Sequence, residues 1–343
     1  MTEGRNERLD GIKYLLICLV VLCHLMQGVR YENSVFQCIY SVVYAFHMPL
    51  FVLLSGYFFH YATAKEVHRS NMKLIEPMVV WYLLPMVFYN TVVRHQLSIF
   101  PYLYFEPTPL WYLVSLVCWR WMMLGLNKVI TLPAWGGVKI DNRMICIAVS
   151  LMISMVSFLT INRYGCYLSV MRTMQFFPFF VLGHYMTSKA MNKIRGGNWK
   201  WVFTILSIIV VTTICCFAGP QLNAVLFSKY GIMELADILG TGLEQTFIIR
   251  YTVMMASVIL CFFVLSAFEC PKWFSANGKT TLCILCTHVI IYHFASQITS
   301  LMPALYVAIS TIFVLTIVAR TSMGRWLLYP YSSVMNSLRN NYK

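Results

Sequence analysis

The sequence predicts an all-α integral membrane protein that crosses the bilayer about ten times, with both termini in the cytoplasm. Three observations indicate this fold class. Hydrophobic residues make up 59% of the 343 residues and charged residues only 11%, against about a quarter in an ordinary soluble domain. Mean hydropathy is +0.68. Apolar runs recur along the whole chain at about 20 residues, the length that a helix needs to cross the hydrocarbon core.

The predicted spans are joined by mostly short polar connections, and no soluble block separates them. We therefore expect a single membrane-embedded domain over residues 1–343. The longest connection, at 219–245, is expected to be partly helical. The ten spans cover residues 12–30, 36–59, 74–93, 109–126, 144–160, 173–188, 201–218, 246–268, 281–298 and 304–320.

The basic charge follows a topology rule. The formal net charge is +14, and most Lys and Arg residues fall on alternate connections, for example 65–73, 189–200 and 320–343. Such connections face the cytoplasm, which places both termini there. We expect no nucleic-acid partner, because the charge is explained by topology. The mixed acidic and basic N-terminus, with no small-residue cleavage site after it, is not the pattern of a cleavable signal.

The cysteines indicate neither a metal site nor a disulfide framework. Most of the twelve lie within apolar spans, where cysteine behaves as a small buried apolar residue. Cys283 and Cys286 form a Cys-x-x-Cys pair, but no second pair accompanies it. We expect no bound metal.

The first span carries the strongest candidate site. Lys13 and His24 are eleven residues apart, which is three helical turns plus roughly 20°, so both side chains lie on one face. The rise between them is about 16 Å at 1.5 Å per residue. Lys13 is therefore expected at the cytoplasmic rim and His24 near mid-membrane. Asp10, three residues before Lys13, is placed to pair with it.

His47 lies inside the second apolar run, "FHMPLFVLLSGYFF". We expect it near mid-membrane, close to His24 if the first two spans are antiparallel neighbours. An ionisable group at that depth usually borders a polar cavity or a site. The alternative, for both histidines, is a core residue that bonds a nearby carbonyl.

The other candidate residues each have more than one interpretation. Arg69 and Lys73, four residues apart, would complete with Lys13 a cationic rim suited to phosphate groups, or they are ordinary cytoplasmic charge. Arg172 lies at a predicted outer mouth, where it would bind a sugar, close a gate or extend to the interface. Trp111 and Tyr112 fit an aromatic belt or a sugar-stacking surface.

The ninth span begins with "NGKTTLCILCTHVII". Asn277, Gly278 and Lys279 fall at its cytoplasmic start, and His288 lies inside the apolar run. His288 is interpreted either as a site residue or as a core histidine.

These segments together resemble the membrane-bound acyltransferase family 3, in particular the branch of fucose 4-O-acetylases and other polysaccharide O-acetyltransferases. The resemblance runs over most of the chain. Six motifs show the resemblance, and the first of them contains the basic-x10-His pattern. In chain order they are "LDGIKYLLICLVVLCH", "AFHMPLFVLLSGYFF", "MKLIEPMVVWY", "PLWYL", "MRTMQFFPFFVLGHYM" and "NGKTTLCILCTHVII". Many relatives have arginine where this chain has Lys13, and here Glu76 precedes the proline of the third motif.

The resemblance implies acyl-CoA, most often acetyl-CoA, as a cytoplasmic donor and a sugar hydroxyl of a polysaccharide or its lipid-linked precursor as acceptor. It implies His24 as general base or transient acyl carrier, with Asp10 and His47 supporting it. Donor binding is expected from Lys13, Arg69, Lys73, Ser55, Tyr57, Asn277, Lys279 and His288, and acceptor binding from Arg172, Trp111 and Tyr112. The expected location is the plasma membrane, which is the inner membrane of a bacterium.

Two other classes of function fit parts of the pattern. Buried histidines among ten spans also suit a transporter or a flippase for a lipid-linked sugar. A scaffold for a polysaccharide-synthesis complex would need no catalytic histidine. The Lys13-to-His24 spacing and the cationic rim favour the transferase.

Overall fold

A computed structural model describes residues 6–88, 110–129, 142–160, 167–295 and 298–333. Helices form all the regular secondary structure in these ranges, which confirms the predicted all-α class. The structure describes fifteen α-helices in these ranges, numbered here in chain order. They are α1 (Glu7–Leu25), α2 (Ser34–Tyr57), α3 (Ala64–Phe88), α4 (Trp111–Val129), α5 (Asn142–Thr160), α6 (Val170–Tyr185), α7 (Ser188–Arg195), α8 (Asn198–Cys216), α9 (Pro220–Phe227), α10 (Ile232–Leu239), α11 (Leu243–Ala267), α12 (Lys272–Asn277), α13 (Thr281–Ala295), α14 (Leu301–Arg320) and α15 (Ser322–Leu328), after which the described chain ends with a short helical stretch at 330–333.

Each of the ten predicted spans overlaps one of these helices, and residues 89–93, 109 and 296–297 of the predicted spans lie outside the described residues. Five helices are long and apolar enough to cross a membrane by length and composition, namely α2, α5, α8, α11 and α14. For the other predicted spans the helix is present, and its crossing of the membrane stays a prediction, as does the orientation of the termini. The connection at 219–245 contains α9 and α10, so its predicted helical content is confirmed.

The first helix begins and ends earlier than the predicted span 12–30. The side-chain oxygen of Asn6 accepts a hydrogen bond from the Leu9 backbone N–H at 3.2 Å and so caps the helix start. The polar residues before the apolar run are therefore helical. They include Arg8, Asp10 and Lys13, so the first two turns of α1 carry charged side chains.

The chain divides into two compact units, each made of segments distant in sequence. Unit 1 comprises residues 1–33, 69–113 and 269–343, and unit 2 comprises residues 34–68 and 114–268. In unit 1, α1 packs against α12, α13, α14 and the 3-10 turn Gly278–Thr280. The Tyr14 hydroxyl bonds the Thr316 hydroxyl at 2.7 Å and so links α1 to α14.

Two close approaches define the packing in unit 1. A Cβ added at Gly278 would lie 2.5 Å from the Cβ of Asp10, and one at Gly11 would lie 3.2 Å from the Ser275 backbone nitrogen and overlap the Cys270 sulfur. Both positions require glycine, because contacts below about 3 Å force neighbouring atoms to move. The start of α1 is therefore held directly against the α12–α13 connection.

Unit 2 is built around the pairing of α2 with α6. A Cβ at Gly56 would lie 1.9 Å from the Phe180 carbonyl oxygen, and one at Gly183 would lie 1.8 Å from the Leu53 carbonyl oxygen. These reciprocal contacts bring the two backbones close together. Two cysteines depart from the interpretation of the cysteines as small apolar residues, because Cys38 of α2 and Cys215 of α8 form a disulfide.

Candidate functional site

His24 lies in the last turn of α1 in unit 1, and two residues of α13 lie beside its ring. The His288 ring meets the His24 ring edge-to-face, with 5.5 Å between ring centroids. The Tyr292 ring meets it in the same manner at 5.6 Å. His24 is half-buried, so its imidazole borders both the interior of the unit and its surface.

His288 is fully buried and its geometry determines its tautomer. The Nδ1 atom lies 3.1 Å from the Ile284 carbonyl oxygen. Because a carbonyl oxygen only accepts hydrogen bonds, Nδ1 carries the proton, and Nε2 of the neutral ring carries a lone pair. Nε2 is buried and has no hydrogen-bond partner among the described residues. The site therefore contains a buried acceptor whose hydrogen-bonding capacity is unused.

Tyr292 and Gln27 extend this polar cluster. The Tyr292 hydroxyl donates to the Gln27 side-chain oxygen at 3.5 Å. Neither residue was predicted from the sequence. Tyr292 follows His288 by four residues and Gln27 follows His24 by three, so each lies one helical turn beyond a predicted histidine, and that spacing was the available signal.

At the other end of α1, Lys13 forms the predicted ion pair with Asp10, with 2.7 Å between Nζ and Oδ1. The side chains are 25% and 12% exposed respectively, so the pair is partly shielded from water and is stronger than a fully exposed one. The helical register places Lys13 on the same face as His24, about 16 Å away along the axis.

The α12–α13 connection completes this end. Asn277 is fully buried, and its amide nitrogen donates to the Trp273 carbonyl oxygen at 2.7 Å. Its Oδ1 atom is buried with no hydrogen-bond partner among the described residues. Lys279 is exposed. The first and last predicted motifs thus meet at both ends, Asp10 with Gly278 and His24 with His288.

Comparison with known proteins identifies the family. The family model described as an acyltransferase domain matches residues 6–321, nearly all of the chain, including both ends of the site. The chain belongs to the acyltransferase 3 family. Together with the apolar helices, this identifies it as a membrane acyltransferase.

Two similar proteins are named nodulation protein NolL. That of Mesorhizobium japonicum is 26% identical over 226 residues, covering 64% of this chain and 57% of the relative. That of Sinorhizobium fredii is 34% identical over 99 residues, covering 27% of this chain and 26% of the relative. The matched parts thus span just over half and about a quarter of these relatives. No solved structure matches the chain.

Other residues expected at an acyltransferase site take varied positions. Arg69 and Lys73 are exposed on α3 and form no ion pair within the described part of the chain. The proposed rim with Lys13 stays a prediction. Trp111 and Tyr112, at the start of α4, are buried, and their rings lie edge-to-face at 6.4 Å.

The remaining expected site residues lie in unit 2. His47 is buried, and its Nδ1–H donates to the Val43 carbonyl at 2.7 Å. That is the bond a core histidine makes, although Nε2 is left without a partner among the described residues. Ser55 donates to the Phe51 carbonyl at 2.8 Å. The other two contacts are Tyr57 hydroxyl to Ser188 hydroxyl at 3.1 Å and Arg172 Nε–H to the Phe227 carbonyl at 3.0 Å.

His47 and His24 belong to different units, and their predicted approach stays a prediction. The expected absence of a metal site is likewise untested. Within the described ranges, no group of three His, Cys, Asp or Glu side chains is placed to hold a metal ion.

Proposed function

We propose that this acyltransferase moves an acetyl group from cytoplasmic acetyl-CoA to a sugar hydroxyl of a cell-surface polysaccharide or its lipid-linked precursor. The observation that carries the proposal is the arrangement along α1. A half-buried histidine faces a second, buried histidine at one end of a helical face, and an ion-paired lysine lies at the other end.

His24 is the proposed general base. A neutral imidazole removes the proton from the acceptor hydroxyl as its oxygen attacks the thioester carbonyl carbon. The carbon–sulfur bond then breaks, and the imidazolium returns the proton to the departing thiolate. A two-step route through an acyl-histidine uses the same residue as nucleophile.

His288 is proposed to position His24. Its protonated Nδ1 is committed to the Ile284 carbonyl, so only the lone pair of Nε2 remains available inside the site. A neutral acceptor beside His24 favours the charged imidazolium that forms during proton transfer. The Tyr292 ring, also in contact with His24, restricts its rotation.

Lys13 is proposed to bind the phosphate portion of the donor. Asp10 fixes its ammonium group, and the exposed cations Arg69, Lys73 and Lys279 add positive charge for the same ligand. The pantetheine arm then covers the distance of about 16 Å along α1 to His24. Lysine provides a point charge rather than the bidentate guanidinium fork that arginine offers to phosphate.

The test compares wild type with His24→Ala in detergent. Each protein is incubated with labelled acetyl-CoA and a membrane glycan extract, and both acetyl release and transfer to glycan are followed. We expect wild type to transfer acetyl and the variant to lose at least about 100-fold in rate, the low end of the range for general base catalysis.

Coenzyme A binding is measured in parallel as a thermal shift. The variant should still bind coenzyme A, because His24 lies far from the proposed phosphate contacts. If neither protein binds coenzyme A or releases acetyl, the proposed donor is wrong and transport of a lipid-linked sugar becomes the better explanation. A fully active His24→Ala protein would instead support a scaffold.

A further inference from the structure

Arg250 in unit 2 is a buried cation that pairs with no carboxylate among the described residues. It lies in α11, one of the helices able to cross a membrane, about 10 Å from the helix start at 1.5 Å per residue. Its side chain is only 5% exposed. Ionisable groups at such depth usually belong to a site, because burying a charge is costly.

The partners of Arg250 are neutral. Nε–H and Nη2–H both donate to the Gln175 side-chain oxygen at 3.1 Å. Nη1–H donates to the Val225 carbonyl oxygen at 2.9 Å. A guanidinium has five N–H donors, so two of them remain after these bonds. Within the described part of the chain, Arg250 forms no ion pair with a carboxylate.

Helix α9 offsets part of the positive charge of Arg250. Val225 lies in its last turn, and the carbonyl end of a helix carries a partial negative charge of about half an elementary charge at most. The Gln175 amide is itself held by the Ser154 carbonyl, which accepts its Nε2–H at 2.9 Å. This neutral network positions the guanidinium, but it does not neutralise it, so a net positive charge remains.

A small, partly open cavity lies against Arg250, lined by residues of unit 2 only. Ser228 and Ser257 line it, as do the rings of Tyr44 and Phe176. Each serine hydroxyl already donates to a backbone carbonyl, at 3.1 Å and 3.0 Å respectively. Arg250 is therefore the strongest donor that this cavity offers to a ligand.

We propose that unit 2 carries an anion site in which Arg250 binds one oxyanion group, either a carboxylate or a phosphate. The cavity has room for about one water-sized group. It therefore takes one oxygen of the oxyanion, and the rest of that group and of the ligand lies beyond the cavity mouth. The proposal does not depend on the acyl-transfer chemistry, because all its residues lie outside unit 1.

The test measures thermal unfolding of the full-length protein in a neutral detergent, at constant ionic strength. Two anionic probes represent the two sources of the group, and each has a neutral counterpart. Glucuronate is compared with glucose, and farnesyl phosphate is compared with farnesol. We expect the melting temperature of wild type to rise by a few degrees with at least one anionic probe and not with its neutral counterpart, because a ligand that binds only the folded state stabilises it.

Three variants locate the effect. Arg250→Gln should lose the anion-dependent rise. Arg120→Gln is the matched control, because Arg120 is a partly buried arginine of unit 2 that does not line the cavity, and it should keep the rise. Ser257→Val fills the cavity without removing charge, and it should lose the rise even if Arg250→Gln fails to fold.

Each outcome of the test either supports the proposal or overturns it. A rise with glucuronate alone assigns the site to a sugar carboxylate, and a rise with farnesyl phosphate alone assigns it to a lipid phosphate. Either result supports the proposal. No response of wild type to both anions, or an equal response in Arg250→Gln, overturns it. Acetyl transfer is not measured here, so the outcome is separate from that of His24→Ala.

Discussion

The His288 ring packs edge-to-face against the His24 ring, and its Nε2 has no hydrogen-bond partner among the described residues. This pairing has a kinetic consequence. The change His288→Ala removes a group that acts through His24 and touches no part of the proposed phosphate site. We expect kcat for acetyl transfer to fall by about tenfold or more, while KM for acetyl-CoA stays close to that of wild type. Such a pattern marks an interaction made only in the transition state.

His60→Ala is the matched control for this change, because His60 is an exposed histidine in the connection after α2. It should leave both kinetic constants unaltered. Equal losses of kcat in the two variants, or a rise in KM alone for His288→Ala, would show that His288 has no positioning role.

Residue spacing predicted the local geometry correctly and the tertiary geometry only in part. The Asp10–Lys13 pair follows from a three-residue separation on one helix. The contact of His24 with His288 joins opposite ends of the chain, and no local pattern encodes such a contact. The order of the spans favoured His47 as a neighbour of His24, because consecutive spans usually pack together, and that approach stays a prediction. The neighbours that the structure gives to His24 come from α13.

At the scale of elements, the connection between α12 and α13 has no room for a larger side chain, because it lies directly against the start of α1. Gly278→Ala would place a methyl group 2.5 Å from the Cβ of Asp10 and 2.6 Å from its carbonyl oxygen. Since the colliding atoms include backbone, we expect a loss of about 1–3 kcal/mol in stability and a lower melting temperature. Coenzyme A binding should weaken too, because Asp10 fixes Lys13.

Gly125→Ala provides the comparison, because nothing lies within 4 Å of a Cβ at that position in α4. Alanine is a better helix former than glycine by about 1 kcal/mol, so this variant should be neutral or slightly stabilised. If Gly278→Ala melted at or above the temperature of Gly125→Ala, the close approach to α1 would be wrong.

Hydropathy located the helices because a buried or lipid-facing helix needs a long apolar run. It placed the boundaries less well, since helix ends depend on capping groups such as Asn6. It also gave no sign that the segments divide into two units of interleaved sequence. That division depends on side-chain complementarity between distant helices, such as the glycine contacts of α2 with α6.

For the whole molecule, the disulfide between Cys38 and Cys215 provides a test of the predicted orientation in the membrane. Disulfides persist in oxidising compartments, so Cys38 and Cys215 should face the outside, with the preceding helix α1 starting in the cytoplasm. In intact cells, a membrane-impermeant maleimide should label these two cysteines only after treatment with an impermeant reductant. The labelling that depends on the reductant should be absent from the variant Cys38→Ser/Cys215→Ser, which keeps the exposed free Cys216.

Cys270 is the internal control, because it is a partly exposed free cysteine next to the start of α12. It should react with the reagent only after the membrane is permeabilised. Labelling of Cys270 in intact cells, with Cys38 and Cys215 protected, would mean that the orientation is reversed.

The interleaving of the two units also bears on how the protein is made. The ribosome produces α1 first, but the helices that pack against it, α12 to α14, are among the last to emerge. On the predicted topology, α1 enters the membrane before these partners are made, and its pair of charges near the N-terminus disfavours insertion at that stage. A chain that ends at residue 268 would contain every residue of unit 2. It would lack His288 and Tyr292, whose rings pack against His24, so unit 1 could not assemble and the chain would be a target for degradation. Biogenesis, rather than the final fold, is therefore the stage at which C-terminal lesions should be most damaging.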